Sequence, residues 1–352
     1  MALLLAHCDN PTPVAMVGQG PDGAGATVTS TVILRPLAQT PADASQSVDA
    51  SIRQQNNGRS AVPMHIDRVA ALDESTILAV SDQKLYRVRA GRWEQLTLDG
   101  GVAQSVLAAN HALWVLAVGT GDNRDRALVL RSSDADSLVT ALVVRSPMEA
   151  GSWRIRSFAT NRLANTWWIA GASPTLLRVD PLAAARVEAA FDIPELVSIY
   201  LTSDESLVGL RSDGDFEVFR YGVRTSVVGD GHLISLADEF GTTYVVHDDG
   251  SVWRGRPARE IRRIATRAPF EPRAATILPD GKPVLVGAGG PLATWGGGQW
   301  QVIPGEWPSD PVAITSTTPP MVIGRDGTVV VAEGNARVLV RSTSENTAEN
   351  SR

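Results

Sequence analysis

An all-β fold of repeated four-stranded units is what this sequence predicts, and three observations predict it. From about Ala61 the chain becomes a series of short apolar runs rich in Val, Ile, Leu and Trp, separated by turn residues and showing no sustained helical period. One strongly apolar run recurs: Ile77–Asp82, Trp114–Gly119, Trp167–Ala172, Leu207–Asp213, Thr243–Asp249, Pro283–Gly289 and Met321–Asp326. Asp-Gly, the pair that a tight hairpin turn with positive φ favours, follows that run at Asp213-Gly214, Asp249-Gly250 and Asp326-Gly327. The 31 Gly and 21 Pro in 352 residues suit so many turns.

The units follow in order. The first, Ala61–Gly101, reads as strands Asp67–Leu72, Ile77–Asp82 and Lys84–Arg89, then a turn at Ala90-Gly91 into a fourth strand carrying Trp93. The second, Val102–Ser152, holds Trp114–Gly119 and Ala127–Ser132 around the long hairpin loop Gly119–Arg126. The third, Trp153–Glu195, holds Arg154–Thr160, Trp167–Ala172 and Thr175–Asp180, and the fourth, Leu196–Gly231, holds Val197–Ser203, Leu207–Asp213 and Asp215–Arg220. The fifth is His232–Arg273, with Ser251–Arg256 as its third strand. The sixth, Ala274–Asp310, repeats Gly-x-Trp at Gly298–Trp300, and the seventh, Pro311–Ser342, ends in Arg337–Ser342. Trp93 and Trp300 are read as packing residues at equivalent places in the fourth strands.

Four short antiparallel strands per unit at a period of about 40 residues is the pattern of β-propeller blades. The expected fold is a seven-bladed β-propeller over residues 61–342, and the chain resembles the propeller superfamily in the general form of WD40, YVTN and Asp-box repeats. It matches no specific family among them. The combined Gly-His and Trp-Asp signature of WD40 blades is absent, and the Asp-box is approached once, at Asp248–Trp253.

Before the repeats, Ala2–Ala6 forms an apolar run ending near Cys8, the single cysteine. One cysteine rules out an intrachain disulfide and a Cys-based zinc site. The run resembles the end of a bacterial lipoprotein signal, which implies lipidation at Cys8 and an exported, periplasmic or outer-surface protein; the cytoplasm is the alternative. His7 and the missing basic start depart from that pattern. Residues 1–60 are thus read as a signal remnant and flexible tether, and residues 343–352 as a disordered tail. One β-like run, Ala26–Pro36, could pair beside the last blade and seal the ring.

Loops joining strand four to the next strand one, and strand two to strand three, share one propeller face. That face is expected to carry His232, His247, Asp248 and Asp230, a set whose residue types suit a divalent metal or ligand, against the plain reading of Asp as a turn former. Asp122, Asn123 and Arg124 in the long loop are candidate partner contacts. Arg254, Arg256, Arg259, Arg262 and Arg263 form a basic stripe in unit five that fits an anionic ligand or lipid surface, or simply charges an exposed sheet edge. Carboxylates recur at the entries and turns, among them Glu195, Glu271, Asp310 and Asp326. A net charge of -6 argues against nucleic acid as a partner.

No nucleophile-and-base pattern, phosphate-cradling glycine loop or cofactor motif is legible. The expected function is a non-catalytic protein- or ligand-binding assembly propeller with a protein partner. The alternatives are a propeller hydrolase or lyase using carboxylates or a metal at the channel mouth, and a structural subunit of a larger envelope complex.

Overall fold

The computed structural model describes strands within 28–36, then Pro63 and residues 66–340 apart from short gaps at 99, 146–153, 162, 172–174, 181–185, 192, 202–205, 212–214, 221–222, 228–232, 240–241, 248–250, 257–259, 266–267, 279–281, 297 and 333–335. Cys8, the rest of the segment read as a tether and residues 343–352, read as a tail, lie outside the described residues.

Two N-terminal strands, β1 (Val28–Thr31) and β2 (Arg35–Pro36), precede the repeats. The first sheet then comprises β3 (Arg68–Ala71), β4 (Ile77–Ser81), β5 (Lys84–Arg89) and β6 (Arg92–Leu96). The second comprises β7 (Gly101–Ala109), β8 (Ala112–Gly119), β9 (Arg126–Ser132) and β10 (Val139–Arg145). The third is β11 (Ile155–Thr160), β12 (Trp167–Gly171), β13 (Thr175–Asp180) and β14 (Arg186–Phe191). The fourth is β15 (Leu196–Leu201), β16 (Leu207–Arg211), β17 (Phe216–Arg220) and β18 (Val223–Val227). The fifth is β19 (Leu233–Glu239), β20 (Thr242–His247), β21 (Val252–Arg256) and β22 (Glu260–Ala265). The sixth is β23 (Pro272–Ile277), β24 (Pro283–Gly287), β25 (Leu292–Gly296) and β26 (Gln299–Ile303). The last is β27 (Pro311–Ile314), β28 (Met321–Gly324), β29 (Val329–Val331) and β30 (Arg337–Val340).

Each set is an antiparallel meander, as short connections between consecutive strands dictate, and the whole is an all-β propeller. The sixth sheet begins at Pro272, two residues before the expected entry at Ala274; proline tolerates the first position of a strand.

The second strands are apolar along their length because both faces are covered. Ile77–Ser81 and Pro283–Gly287 are buried at every residue. Neighbouring sheets share cores: Leu78, Leu85 and Leu96 pack with Leu113, Val115 and Leu130, while Trp114 and Val129 pack with Phe158, Trp167 and Ile169. The seventh sheet packs on the first, where Met321, Ile323 and Val329 join Ile77, Tyr86 and Trp93.

Two sheets hold a fifth strand. β1 pairs antiparallel with β18 from Val28↔Ser226 to Thr31↔Val223, and β2 pairs with β14 through Arg35↔Ala189 and Pro36↔Glu188. The expected place for Ala26–Pro36, beside the last sheet, is therefore corrected. The seventh sheet has its own outer strand in β30, and the N-terminal run covers the outer edges of the fourth and third sheets instead. A bare edge anywhere on the ring offers the same backbone donors and acceptors, so the sequence of the run does not say which edge it will take.

Among the described residues, two charged side chains are taken inside. Arg87 on β5 is nearly fully buried, with Nη2 2.8 Å from Glu94 Oε2 on β6 and Nη1 paired to Asp136 of the second sheet. Glu217 on β17 is fully buried and accepts from Arg224 Nε at 2.9 Å and Arg211 Nη1 at 3.5 Å.

Candidate functional site

The functional face is built from the entries into the first strands and the turns between second and third strands. Six first strands carry a β-bulge one or more residues after they begin, at Gln104, Arg156, Val197, Ile234, Arg273 and Val312. A bulge adds one unpaired residue, bends the strand and re-aims the side chain at that point. The residue after each bulge is small: Ser105, Ser157, Ser198, Ser235, Ala274 and Ala313. Ser157 shows one use of it, since its Oγ accepts a 3.1 Å hydrogen bond from the buried amide of Ile199 in the next sheet.

Opposite the strand entry, the second strand ends at Gly171 in the third sheet, paired with Ile155. A Cβ there would overlap the carbonyl oxygen of Arg154, so glycine is required by close backbone approach. His247 ends the corresponding strand of the fifth sheet, opposite Leu233.

Backbone hydrogen bonds stitch turns to entries along this rim. Ala103 N donates to Gln83 O at 3.0 Å, joining the second sheet to the turn of the first, and Gly289 N donates to Ser309 O at 3.1 Å toward the seventh. Thr120 N to Gly100 O, Ala288 N to Glu271 O and Arg325 N to Asp310 O brace turn and entry of the same sheet. The Asp82 amide donates to Asp67 Oδ2 at 3.0 Å.

The carboxylates of the rim are met by arginines. Glu195 lies 2.7 Å from Arg156 Nη1, Glu271 3.1 Å from Arg273 Nη2, and Asp310 2.6 Å from Arg325 Nε. Asp326 instead caps its own turn, accepting from the amide and hydroxyl of Thr328. Arg68 reaches from the first sheet to the carbonyl of Val197 on β15 at 3.3 Å. Among the described residues, these three rim carboxylates thus stand beside arginines. Arg68, Arg156 and Arg273, all on innermost strands, were not read as rim residues; the recurring step from a bulge residue to Ser or Ala is the signal that would have found Arg156 and Arg273, while Arg68 stands on a strand without a bulge.

Asp122 and Arg124 are exposed on the loop between β8 and β9, whose residues Gly121–Asn123 form one 3₁₀ turn. Thr120 ties that loop to the rim. In the fifth sheet the ladder sets Arg254 opposite Arg262, Trp253 opposite Arg263 and Arg256 opposite Glu260. His232, Asp230, Asp248 and Arg259 lie outside the described residues; of the histidine cluster, His247 at the end of β20 is among them. Among the described residues no group of three or more His, Cys, Asp or Glu is placed to hold a metal ion, and no helix is long and apolar enough to cross a membrane.

Among the described residues, two carboxyls and one phenol are shifted. The amide of Ser137 holds Asp134 below its ordinary 3.8, helped by Asp136 and the Ser137 and Ser132 hydroxyls. Burial pushes Asp73 up, but hydrogen bonds from Ser75 and Thr76 outweigh it and leave the group lowered. Burial, with Asp82 nearby, raises Tyr86, a core residue of β5.

No protein-family model matches the chain, and no curated protein matches it. Solved structures do. The Pan2 WD40 domain of Neurospora crassa is similar at 10% identity with a TM-score of 0.54, covering 77% of this chain and 86% of that one. BBS1N, solved in complex with ARL6DN, is similar at 14% identity with a TM-score of 0.51, covering 86% and 94%. U3-55K is similar at 14% identity with a TM-score of 0.52, covering 81% and 92%. At such identities the likeness is one of fold.

Proposed function

We propose that the sheets close into one seven-bladed ring that works as a non-catalytic protein-interaction scaffold. The observation that carries this reading is the rim, where backbone hydrogen bonds hold turns to entries and Arg-carboxylate pairs stand on the third, sixth and seventh sheets. Rigid loops presenting both signs of charge suit the polar surface of a protein better than a single small ion. One similar propeller, BBS1N, was solved bound to another protein, ARL6DN, which accords with the same use of the fold.

The contact residues we favour are Asp122, Asn123 and Arg124 on the long loop and the arginine stripe of the fifth sheet. Arg254 directly opposite Arg262 is a like-charge pair in register, which costs stability and is the kind of arrangement an acidic partner segment would relieve. Export and anchoring through Cys8 belong to the proposal and rest on the apolar run before it.

The test is purification of the full-length chain from its native cells with cross-linking and mass spectrometry. Cross-links to a partner should leave from the Gly119–Arg126 loop and the stripe. Arg254→Glu combined with Arg262→Glu should weaken the complex about tenfold. Full affinity in that variant, and in one with Asp122–Arg124 replaced by Gly-Ser-Gly, overturns the assignment. Intact mass of the membrane-extracted protein reads lipid at Cys8 directly.

A further inference from the structure

The innermost strands β3, β7, β11 and β15 follow one another in contact along the first four sheets. In a propeller such strands line the central channel, so together they form a concave arc of its wall. Arg68 spans that arc from end to end. From β3, its Nη1 donates to the carbonyl of Asp67 at 2.8 Å, and its Nη2 donates to the carbonyl of Val197, the bulge residue of β15, at 3.3 Å. On the two strands between, the bulges place Gln104 and Arg156. Arg68 is exposed, Gln104 half-buried and the Arg156 side chain half-exposed.

Arg68 differs from other arginines of this face in what it touches. Arg156, Arg273 and Arg325 each lie within 3.1 Å of a carboxylate. Both contacts of Arg68 end on neutral carbonyl oxygens, and the adjacent Asp67 gives its Oδ2 to the Asp82 amide. Two carbonyls use only part of a guanidinium's set of N–H donors, and its planar fork matches an oxyanion at two points. Since Glu195 balances Arg156 at 2.7 Å, the arc carries the charge of Arg68 on a concave wall, where field lines are concentrated.

We propose that this arc of the channel mouth binds a small oxyanion, the carboxylate or phosphate group of a free small molecule. Arg68 is the anchor and takes the anion on its fork. Gln104 donates from its side-chain amide, and Arg156 supplies a second guanidinium as the anion competes with Glu195. The carbonyls of Asp67 and Val197 already hold the Arg68 guanidinium across the arc, which lowers the ordering cost of binding. The same fixed charge turns cations away. The site shares no residue with the long loop or the arginine stripe, so it and the scaffold reading stand or fall separately.

The experiment is isothermal titration calorimetry of the full-length chain with inorganic phosphate and, separately, with citrate, the ionic strength being held constant with chloride. At least one probe should bind saturably, and the tighter of the two assigns a phosphoryl or a carboxylate ligand. Arg68→Gln should weaken that binding by about tenfold, and Gln104→Ala should weaken it less. Arg68→Lys keeps the charge without the fork and should fall between wild type and Arg68→Gln. Arg254→Gln with Arg262→Gln should leave the affinity unchanged. The thermal midpoint of Arg68→Gln without anion serves as the folding control; if that variant does not fold, Arg68→Lys decides in its place. No saturable binding of either probe overturns the proposal. So does full affinity in the Arg68 variant, which would leave Arg68 a strut between β3 and β15, and so does an equal loss in the stripe variant, which would mean only general attraction to positive charge.

Discussion

The indole N–H of Trp93 donates a 2.7 Å hydrogen bond to the carbonyl oxygen of Gly327, joining the outer strand of the first sheet to the turn between β28 and β29 of the seventh. Gly91, in the turn before it at φ +71, lies against the carbonyl of Leu339 on β30, and Arg337 pairs with Glu74. The seventh sheet is therefore held to the first by side chains across a packed seam. Trp93→Phe keeps a ring in the pocket but orphans the Gly327 carbonyl, and should cost about 1–3 kcal/mol in urea unfolding. Trp93→Ala should cost about 3–5 kcal/mol, because it opens a cavity as well.

Arg224 guards a fully buried carboxylate. Its replacement by Met removes the 2.9 Å pairing of Glu217 with Arg224 Nε and should destabilise by about 3–5 kcal/mol. Adding Glu217→Gln to Arg224→Met should recover part of that loss, since the uncompensated charge is then gone. A double-mutant cycle checks it; simple additivity of the two changes would show that they do not act on each other.

Gly171→Ala should destabilise by about 3 kcal/mol, because the new methyl group meets the Arg154 backbone, which cannot rotate away as a side chain would. Gly296→Ala is the control: open space surrounds that position, and the change should stay within about 0.5 kcal/mol. Thermal unfolding of the two variants separates the outcomes.

Asp134 accepts from the amides of Asp136 and Ser137 in the loop that brings Asp136 to Arg87. Its carboxyl is held below the ordinary 3.8, so its stabilising effect is complete above that value and is lost as pH falls through the lower folded value. The same sign holds for Asp73. Urea midpoints of the wild type and Asp134→Asn should differ at pH 6 and converge as the solution is acidified below about pH 4. A gap that widens in acid would contradict the assignment.

The strands were legible in the sequence wherever burial on both faces makes a run apolar and a turn residue ends it. Ile77–Ser81, Trp167–Gly171 and Met321–Gly324 fall within the runs read from the residues alone. Trp93 and Trp300 both stand in outer strands, as their shared Gly-x-Trp context implied. The pairing of β1 and β2 was not legible, because an edge is recognised by backbone groups common to every residue. Nor were Arg87 with Asp136, or Arg68 with Val197. Such contacts depend on which sheets come close in space, and a charge on an alternating strand reads as a solvated face until its neighbour is known.

The pairing of Val28 with Ser226 also bears on how the chain emerges from the ribosome. The segment made early must wait for partners in β14 and β18 that follow well over a hundred residues later, on the order of 10 s or more at ordinary rates of synthesis. Trp93 waits longer still for Gly327. During that interval the first sheets can form as separate hairpins, but both the N-terminal strands and the first sheet's outer face remain unmatched. Vectorial synthesis thus exposes a partly built arc, a state with every reason to engage a chaperone before the last sheet arrives.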